Sequence, residues 1–147
     1  MKAESDREQM AIAAASRSKP IDLPRLAAIL SGIPFIDYAM VFGSARDGVA
    51  QAGSDLDVAV SLADAEAKDI ARLLEIVGMV EETFDVPCDL TVLNTAGPVL
   101  RHEALRGRVL FVRPGRQEDF ADFFTRTCAE YEDLMAFRAR QLAYRGY

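Results

Sequence analysis

The stretch VFGSARDGVAQAGSDLDVAV, residues 41–60, constrains this chain more than any other. An apolar run from Tyr38 to Phe42 breaks at Gly43-Ser44, and ten residues separate Ser44 from Asp55. A second run, Ser54 to Leu62, then alternates in character. Successive strand residues face opposite sides, so Leu56, Val58 and Val60 point one way while Asp55, Asp57 and Ala59 point the other. A chain with this pattern needs a sheet covered on at least one side. It also needs a reason to keep two carboxylates on the remaining face.

Helical and extended stretches alternate around these two strands. Asp22-Leu23-Pro24 reads as a helix start, with Asp as N-cap and Pro in the first turn. Leu26, Ile29 and Leu30 supply that helix with one apolar face, and Gly32 and Pro34 end it. Ser44 to about Ala50 reads as a short helix. Residues 64–83 read as a long one, with Ile70, Leu73, Leu74, Val77 and Val80 on one side. Asp85 to Leu93 is a third strand with Pro87 near its start. Gly97-Pro98 opens a short helix through Leu105, and Arg108 to Val112 is a fourth strand. A closing helix runs from Gln117 to about Tyr144, with Phe120, Phe124, Cys128, Tyr131, Met135 and Leu142 near one stripe. Phe123 and Phe137 fall outside this stripe and are candidates for a partner surface. Residues 1–21 form a polar segment with weak helical periodicity ahead of a single domain over 22–147. The expected fold class is α/β (α+β): a small sheet with helices packed against it.

Composition excludes several function classes. At 147 residues, 50% hydrophobic and 27% charged, the chain suits one domain with a real core. Charged residues interrupt every apolar stretch, so no membrane span is expected. The N-terminal stretch lacks a signal-peptide pattern, and the expected location is cytoplasmic. Cys88 and Cys128 are expected to be reduced, packed thiols. His102, the single histidine, cannot build a histidine-based metal site. The net charge of −6 argues against broad binding to nucleic acid. Arg138, Arg140 and Arg145, with Tyr144 and Tyr147, form either a solvated helix end or a contact for a partner.

The chemistry concentrates at Gly43, Ser44, Asp55, Asp57 and Asp89. Glycine permits a sharp turn and a close ligand approach. A helix beginning at Ser44 would present free N–H groups and a favourable dipole to a phosphate. Asp55 and Asp57 share a strand face, and their mutual repulsion is relieved by a hard divalent cation such as Mg²⁺. Asp89 joins them if its strand pairs beside Ser54–Leu62. A phosphate-binding turn, a metal-binding pair and a third carboxylate together suit nucleotidyl transfer.

Gly43-Ser44, ten residues, then Asp55-Leu56-Asp57 resembles the GSx10DxD signature of the minimal nucleotidyltransferases in the DNA polymerase β-like superfamily. Asp89-Leu90-Thr91-Val92-Leu93-Asn94, Pro98-Val99-Leu100-Arg101-His102-Glu103 and Gly107-Arg108-Val109-Leu110-Phe111 are similar to the MntA-type antitoxins in particular. The likeness spans roughly residues 22 to 145. It implies a nucleotidyltransferase fold, a short mixed β-sheet flanked by helices. It further implies that Ser44 contacts the terminal phosphate of ATP and Gly43 permits the turn. Asp55 and Asp57 would then hold Mg²⁺, with Asp89 completing the cluster as ligand or base. Proteins of this type form hetero-oligomers with a HEPN-domain RNase toxin and silence it by moving AMP from ATP onto one of its tyrosines. Two alternatives stay open: an antitoxin acting by stoichiometric binding, and a small-molecule nucleotidyltransferase. Many relatives carry Arg-Gly after the Gly-Ser turn. Here Arg46-Asp47-Gly48 inserts a negative charge, which puts the role of Arg46 in doubt.

Overall fold

The computed structural model describes residue 6 and residues 18–51, 53–63 and 66–146. The helical periodicity expected of the N-terminal segment falls almost wholly outside these residues. In chain order the elements are β1 (Lys19–Pro20), α1 (Leu23–Ser31), β2 (Ile36–Phe42), a 3-10 turn (Gly43–Ala45) and β3 (Val49–Ala50). They continue with β4 (Leu56–Leu62), α2 (Ile70–Phe84), β5 (Cys88–Val92), α3 (Pro98–Leu105), β6 (Arg108–Val112) and α4 (Gln117–Tyr144). The main sheet runs β5-β4-β2-β6, with β4 and β5 parallel and the other pairs antiparallel. It is therefore a mixed sheet. The connection between its parallel strands is α2, the crossover such a pair requires.

The two central strands are buried along nearly their whole length, and the sheet is packed on both faces. On one side, Val41, Leu56, Val58 and Val60 meet Leu26 and Leu30 of α1 and Ile76 and Val80 of α2. On the other, Tyr38, Met40, Phe42, Ala59 and Leu93 meet Ala104 of α3 and Phe123 of α4. The alternation read from Leu56-Asp57-Val58-Ala59-Val60 holds, and the carboxylate face is the one packed by α3 and α4.

Several local expectations shift. The N-cap of α1 is as expected, with the Asp22 carboxylate accepting from the Arg25 N–H at 3.1 Å. The helix expected from 64 begins instead at Ile70, because the Asp69 carboxylate caps it by accepting from the Ala71 N–H at 3.0 Å. Its buried face is Ile76 and Val80, with Leu73 and Phe84 packed beside them, whereas Ile70 is 71% and Leu74 65% exposed. The expected short helix after Ser44 is only the 3-10 turn Gly43–Ala45. The third strand starts at Cys88, since Asp85 turns into the left-handed region at φ 53° to cap α2 and Pro87 has no N–H to pair. On α4 the buried residues are Phe123 and Thr127, and Phe124 is 46% exposed. Phe123 is thus a core residue and no partner surface; the apolar stripe steps first by three residues, from Phe120, not by four.

Arg113 ties the sheet to α1. Its Nε donates to Ile36 O at 2.8 Å, and its Nη2 donates to Ser31 O at 3.0 Å and Ile33 O at 2.9 Å. These carbonyls belong to the joint between α1 and β2, where helix-end acceptors lack partners. Arg113→Ala is expected to cost about 2–3 kcal/mol in urea unfolding, because charged hydrogen bonds are lost and carbonyls left unsatisfied. Arg113→Lys is expected to recover less than half of that, since a single ammonium cannot span the fork. A loss near zero in Arg113→Ala would remove this residue's structural role.

Candidate active site

The site forms where β2 stops. Phe42 is extended, and Gly43 then takes φ +67°, a left-handed conformation that side chains disfavour. A Cβ at Gly43 would also overlap Asp57 Oδ2. Glycine is therefore required twice, for the turn and for the approach of the Asp57 carboxylate. Ala45 is fully buried and anchors the turn in the core, leaving Ser44 exposed at its tip. With only a 3-10 turn behind Ser44, the expected helix dipole is absent. What the turn offers a ligand is local: N–H groups and the Ser44 hydroxyl.

Strand register brings the acids to this turn. Phe42 sits opposite Asp57 across the antiparallel β2–β4 pair, and Asp57 opposite Asp89 across the parallel β4–β5 pair. Registered neighbours point to the same side, so Asp57 and Asp89 share the face that Gly43 leaves open. Asp55 precedes the ladder, which begins where the Leu56 N–H donates to Pro87 O at 2.7 Å. Asp55 and Asp89 are exposed and Asp57 is half-buried. Burial holds the Asp57 carboxyl above the usual carboxylate range, and the charges of Asp89 and Asp55 and a hydrogen bond with Asp89 add to this.

Among the described residues, no three His, Cys, Asp or Glu side chains converge as a ready-made metal cage. Mg²⁺ does not need one, because it takes one or two carboxylates and completes its octahedron with substrate phosphates and water. The crowding of Asp55, Asp57 and Asp89 fits that hard, oxygen-seeking ion. The structure sets Asp57 against Gly43 and in register with Asp89, with the charge of Asp55 close enough to act on Asp57; Ser44 follows Gly43 in the turn and is exposed.

Asp47, the departure from the Arg-Gly pattern, lies 3.8 Å from the Arg108 guanidinium at the start of β6. Its charge is thus met within the chain, though the pair is exposed and weak.

One supporting residue has no signal of its role in the sequence. Gly107 packs against the strand that leads into the turn: a Cβ there would overlap Val41 O and lie 2.7 Å from Phe42 Cβ and 2.9 Å from Phe42 Cα. Gly107→Ala is expected to displace the end of β2, costing about 1–3 kcal/mol of stability and weakening nucleotide binding measured by calorimetry. Unchanged stability and binding would show that β2 yields freely.

Cys88, beside Asp89, is held protonated. Burial pushes its thiol up to about 12, helped by the charges of Glu81, Asp89, Asp57 and Asp55. The thiolate is the reactive form. Iodoacetamide at about pH 8 is therefore expected to modify Cys88 far more slowly in the folded chain than in urea, where the thiol returns to its ordinary pKa. Equal rates in the two states would contradict the burial described.

Comparison with known proteins shows the family of the chain. The family described as "Polymerase beta, Nucleotidyltransferase" matches residues 25–116, a span that contains all five residues. The protein adenylyltransferase MntA of Shewanella oneidensis (strain MR-1) is 33% identical over 107 residues, covering 72% of this chain and 73% of that protein. A crystal structure of a toxin-antitoxin with AMP-PNP superposes with a TM-score of 0.68 at 25% identity, over 86% of this chain and 100% of its own. A tri-AMPylated Shewanella oneidensis HEPN toxin in complex with an MNT antitoxin gives a TM-score of 0.62 at 23% identity, over 85% of this chain and 97% of its own, a likeness of fold alone.

Proposed function

Since the chain belongs to the polymerase beta nucleotidyltransferase family, we propose that it is a protein adenylyltransferase that moves AMP from ATP to a tyrosine of a partner HEPN toxin and so neutralises it. The observation that carries this reading is the alignment of Asp57 with Asp89 across β4 and β5, directly beside the Gly43-Ser44 turn. The similarity to MntA and to a toxin-antitoxin bound with AMP-PNP supports the substrate and the partner.

In this mechanism the Ser44 hydroxyl and the N–H groups of the 3-10 turn hold the terminal phosphates of ATP. Asp55 and Asp57 would hold Mg²⁺, which would supply neutralisation of the phosphate charge and polarisation of the reacting phosphorus. Asp89, exposed on the edge strand β5, would take the proton of the incoming phenol. The tyrosine oxygen bonds to the α-phosphorus as the bond to the bridging oxygen of the β-phosphate breaks. AMP stays on the tyrosine, pyrophosphate leaves, and the proton goes to Asp89. The chain's contribution is positioning and fixed charge.

Incubation with HEPN toxin and ATP labelled at the α-phosphate tests this. Label is expected on the toxin, and the double change Asp55→Asn with Asp57→Asn is expected to lower its rate of appearance at least about a hundredfold. Toxin silenced equally well by the double variant would instead favour stoichiometric binding. Transfer to small hydroxylated acceptors without the toxin would favour a small-molecule enzyme.

A further inference from the structure

Lys19 is a cation set close to the acids, and neither the phosphate turn nor the carboxylates account for it. It stands in β1, directly opposite Ala50 of β3. Core packing anchors this pairing: Ile21 is 5% and Ala50 2% exposed. The Ile21 N–H donates to Gly48 O at 2.7 Å. Gly48 takes φ +88°, and a Cβ there would lie 3.3 Å from Ile21 O. The segment that leaves Ala50 ends in Asp55. Lys19 is therefore fixed at the root of that segment.

From this root the side chain crosses to the approach of β5. Its ammonium donates to Asp85 O at 2.6 Å and to Asp85 Oδ2 at 2.9 Å. Asp85 is the left-handed cap of α2, and β5 opens shortly after it with Cys88-Asp89. Glu81 of α2 accepts the Cys88 N–H at 3.0 Å, so β5 starts from a fixed point. A further bond, from the Leu56 N–H to Pro87 O at 2.7 Å, joins the same two stretches next to Asp55. Residues 50–56 and 85–87 are thus tied at both ends. Between them lies a cavity of about 210 Å³, lined by Lys19, Gln51, Ser54, Asp55, Asp85 and Pro87 among others. Lys19 is the one cation among the described residues that line it.

Stability does not explain this lysine. Its side chain is 42% exposed and that of Asp85 96%, and ion pairs so open to water add little to folding. What the bonds fix is distance. Asp89 is set opposite Asp57 by strand register, whereas Asp55 lies outside the register of either pairing of β4.

We propose that Lys19 is a positioning residue: by bridging β1 to Asp85 it holds Asp55 and Asp89 in one geometry around a metal-bound nucleotide. The reaction it serves rests on the adenylyltransferase reading, while the bridge is read from the bonds themselves. A displacement of about 1 Å in a reacting group costs on the order of a hundredfold in rate. A bond of small value to folding can therefore matter to transfer.

The test uses the full chain with Lys19→Met, Lys19→Arg, Asp85→Asn, and Lys19→Met combined with Asp85→Asn. Arginine keeps the donors, and asparagine tolerates the left-handed backbone at 85. Three quantities are read: label transfer at saturating ATP and HEPN toxin, Mn²⁺ uptake with ATP by electron paramagnetic resonance, and hydrogen exchange of the Leu56 amide in the chain alone. Lys19→Met is expected to transfer label about tenfold more slowly and to bind Mn²⁺ with ATP at least about threefold more weakly. Its Leu56 amide is expected to exchange at least about fivefold faster, with the thermal midpoint kept within about 2 °C. Lys19→Arg is expected to recover transfer to within about threefold of the natural chain. Asp85→Asn is expected to share part of the loss, because the Asp85 carbonyl still accepts. The double variant is expected to lie within about twofold of Lys19→Met, since both changes break one bridge.

Transfer by Lys19→Met within about twofold of the natural chain overturns the proposal. So does a loss confined to Lys19, with Asp85→Asn as fast as the natural chain, which would put Lys19 on the phosphates directly. A loss that tracks a fall of about 5 °C or more in thermal midpoint, with Leu56 exchange unchanged, makes Lys19 structural only and also overturns it. If even the natural chain transfers no label, faster Leu56 exchange and weaker Mn²⁺ uptake in Lys19→Met uphold the bridge and remove the transfer reading. The same two quantities unchanged would remove both.

Discussion

The close approach of Asp57 to Gly43 sets the form of the site. A strand, a left-handed glycine and a carboxylate from the neighbouring strand occupy a space that admits no side chain at position 43. Register then fixes the rest. Once Phe42 lies opposite Asp57, the parallel partner strand brings Asp89 into the same row. A slip by one residue in either pairing would send a carboxylate to the other face of the sheet. Burying Val41, Leu56, Val58 and Val60 against α1 and α2 is what prevents that slip. The core therefore does more than stabilise the domain: it aims the acids.

The cost of this arrangement shows in Asp57. Its carboxyl is held above the usual range by burial and by the adjacent charges of Asp89 and Asp55. In isolation such crowding is unfavourable, and an interior built for stability alone would replace it with apolar residues. A cation with its phosphates relieves the repulsion. On the proposed function, the cost of holding the three carboxylates together would favour binding of a metal-bound nucleotide.

Much of this was legible in the sequence, for identifiable reasons. Period-two alternation gave β4 and both of its faces, and the alignment of Asp89 with Asp57 follows from the parallel pairing that α2 permits. Strand and helix ends were harder. Asp69 and Asp85 define the bounds of α2 through side-chain capping and a left-handed backbone, which compete with hydrophobic periodicity. The stripe of α4 departs from the expected one because steps of three and four residues alternate along a helix, so Phe123 rather than Phe124 enters the core. The short helix expected after Ser44 gave way to a 3-10 turn because β3 follows at once and pairs with β1. Gly107 carries no sequence signal of its role, since its contact with Val41 and Phe42 exists only once β6 is laid beside β2.

The division of the molecule is then clear in physical terms. The α1–α2 side is a packed platform, the opposite side carries the acids and the base of α4, and among the described residues the far end of α4 is exposed. The central claim is that Asp55, Asp57 and the Gly43-Ser44 turn jointly grip a metal-bound nucleotide. Electron paramagnetic resonance with Mn²⁺ in place of Mg²⁺ measures this most directly. The natural chain is expected to take up Mn²⁺ strongly only when ATP is present, and Asp57→Asn to abolish the uptake while remaining folded. Mn²⁺ uptake that ignores ATP, or that survives Asp57→Asn, would contradict it.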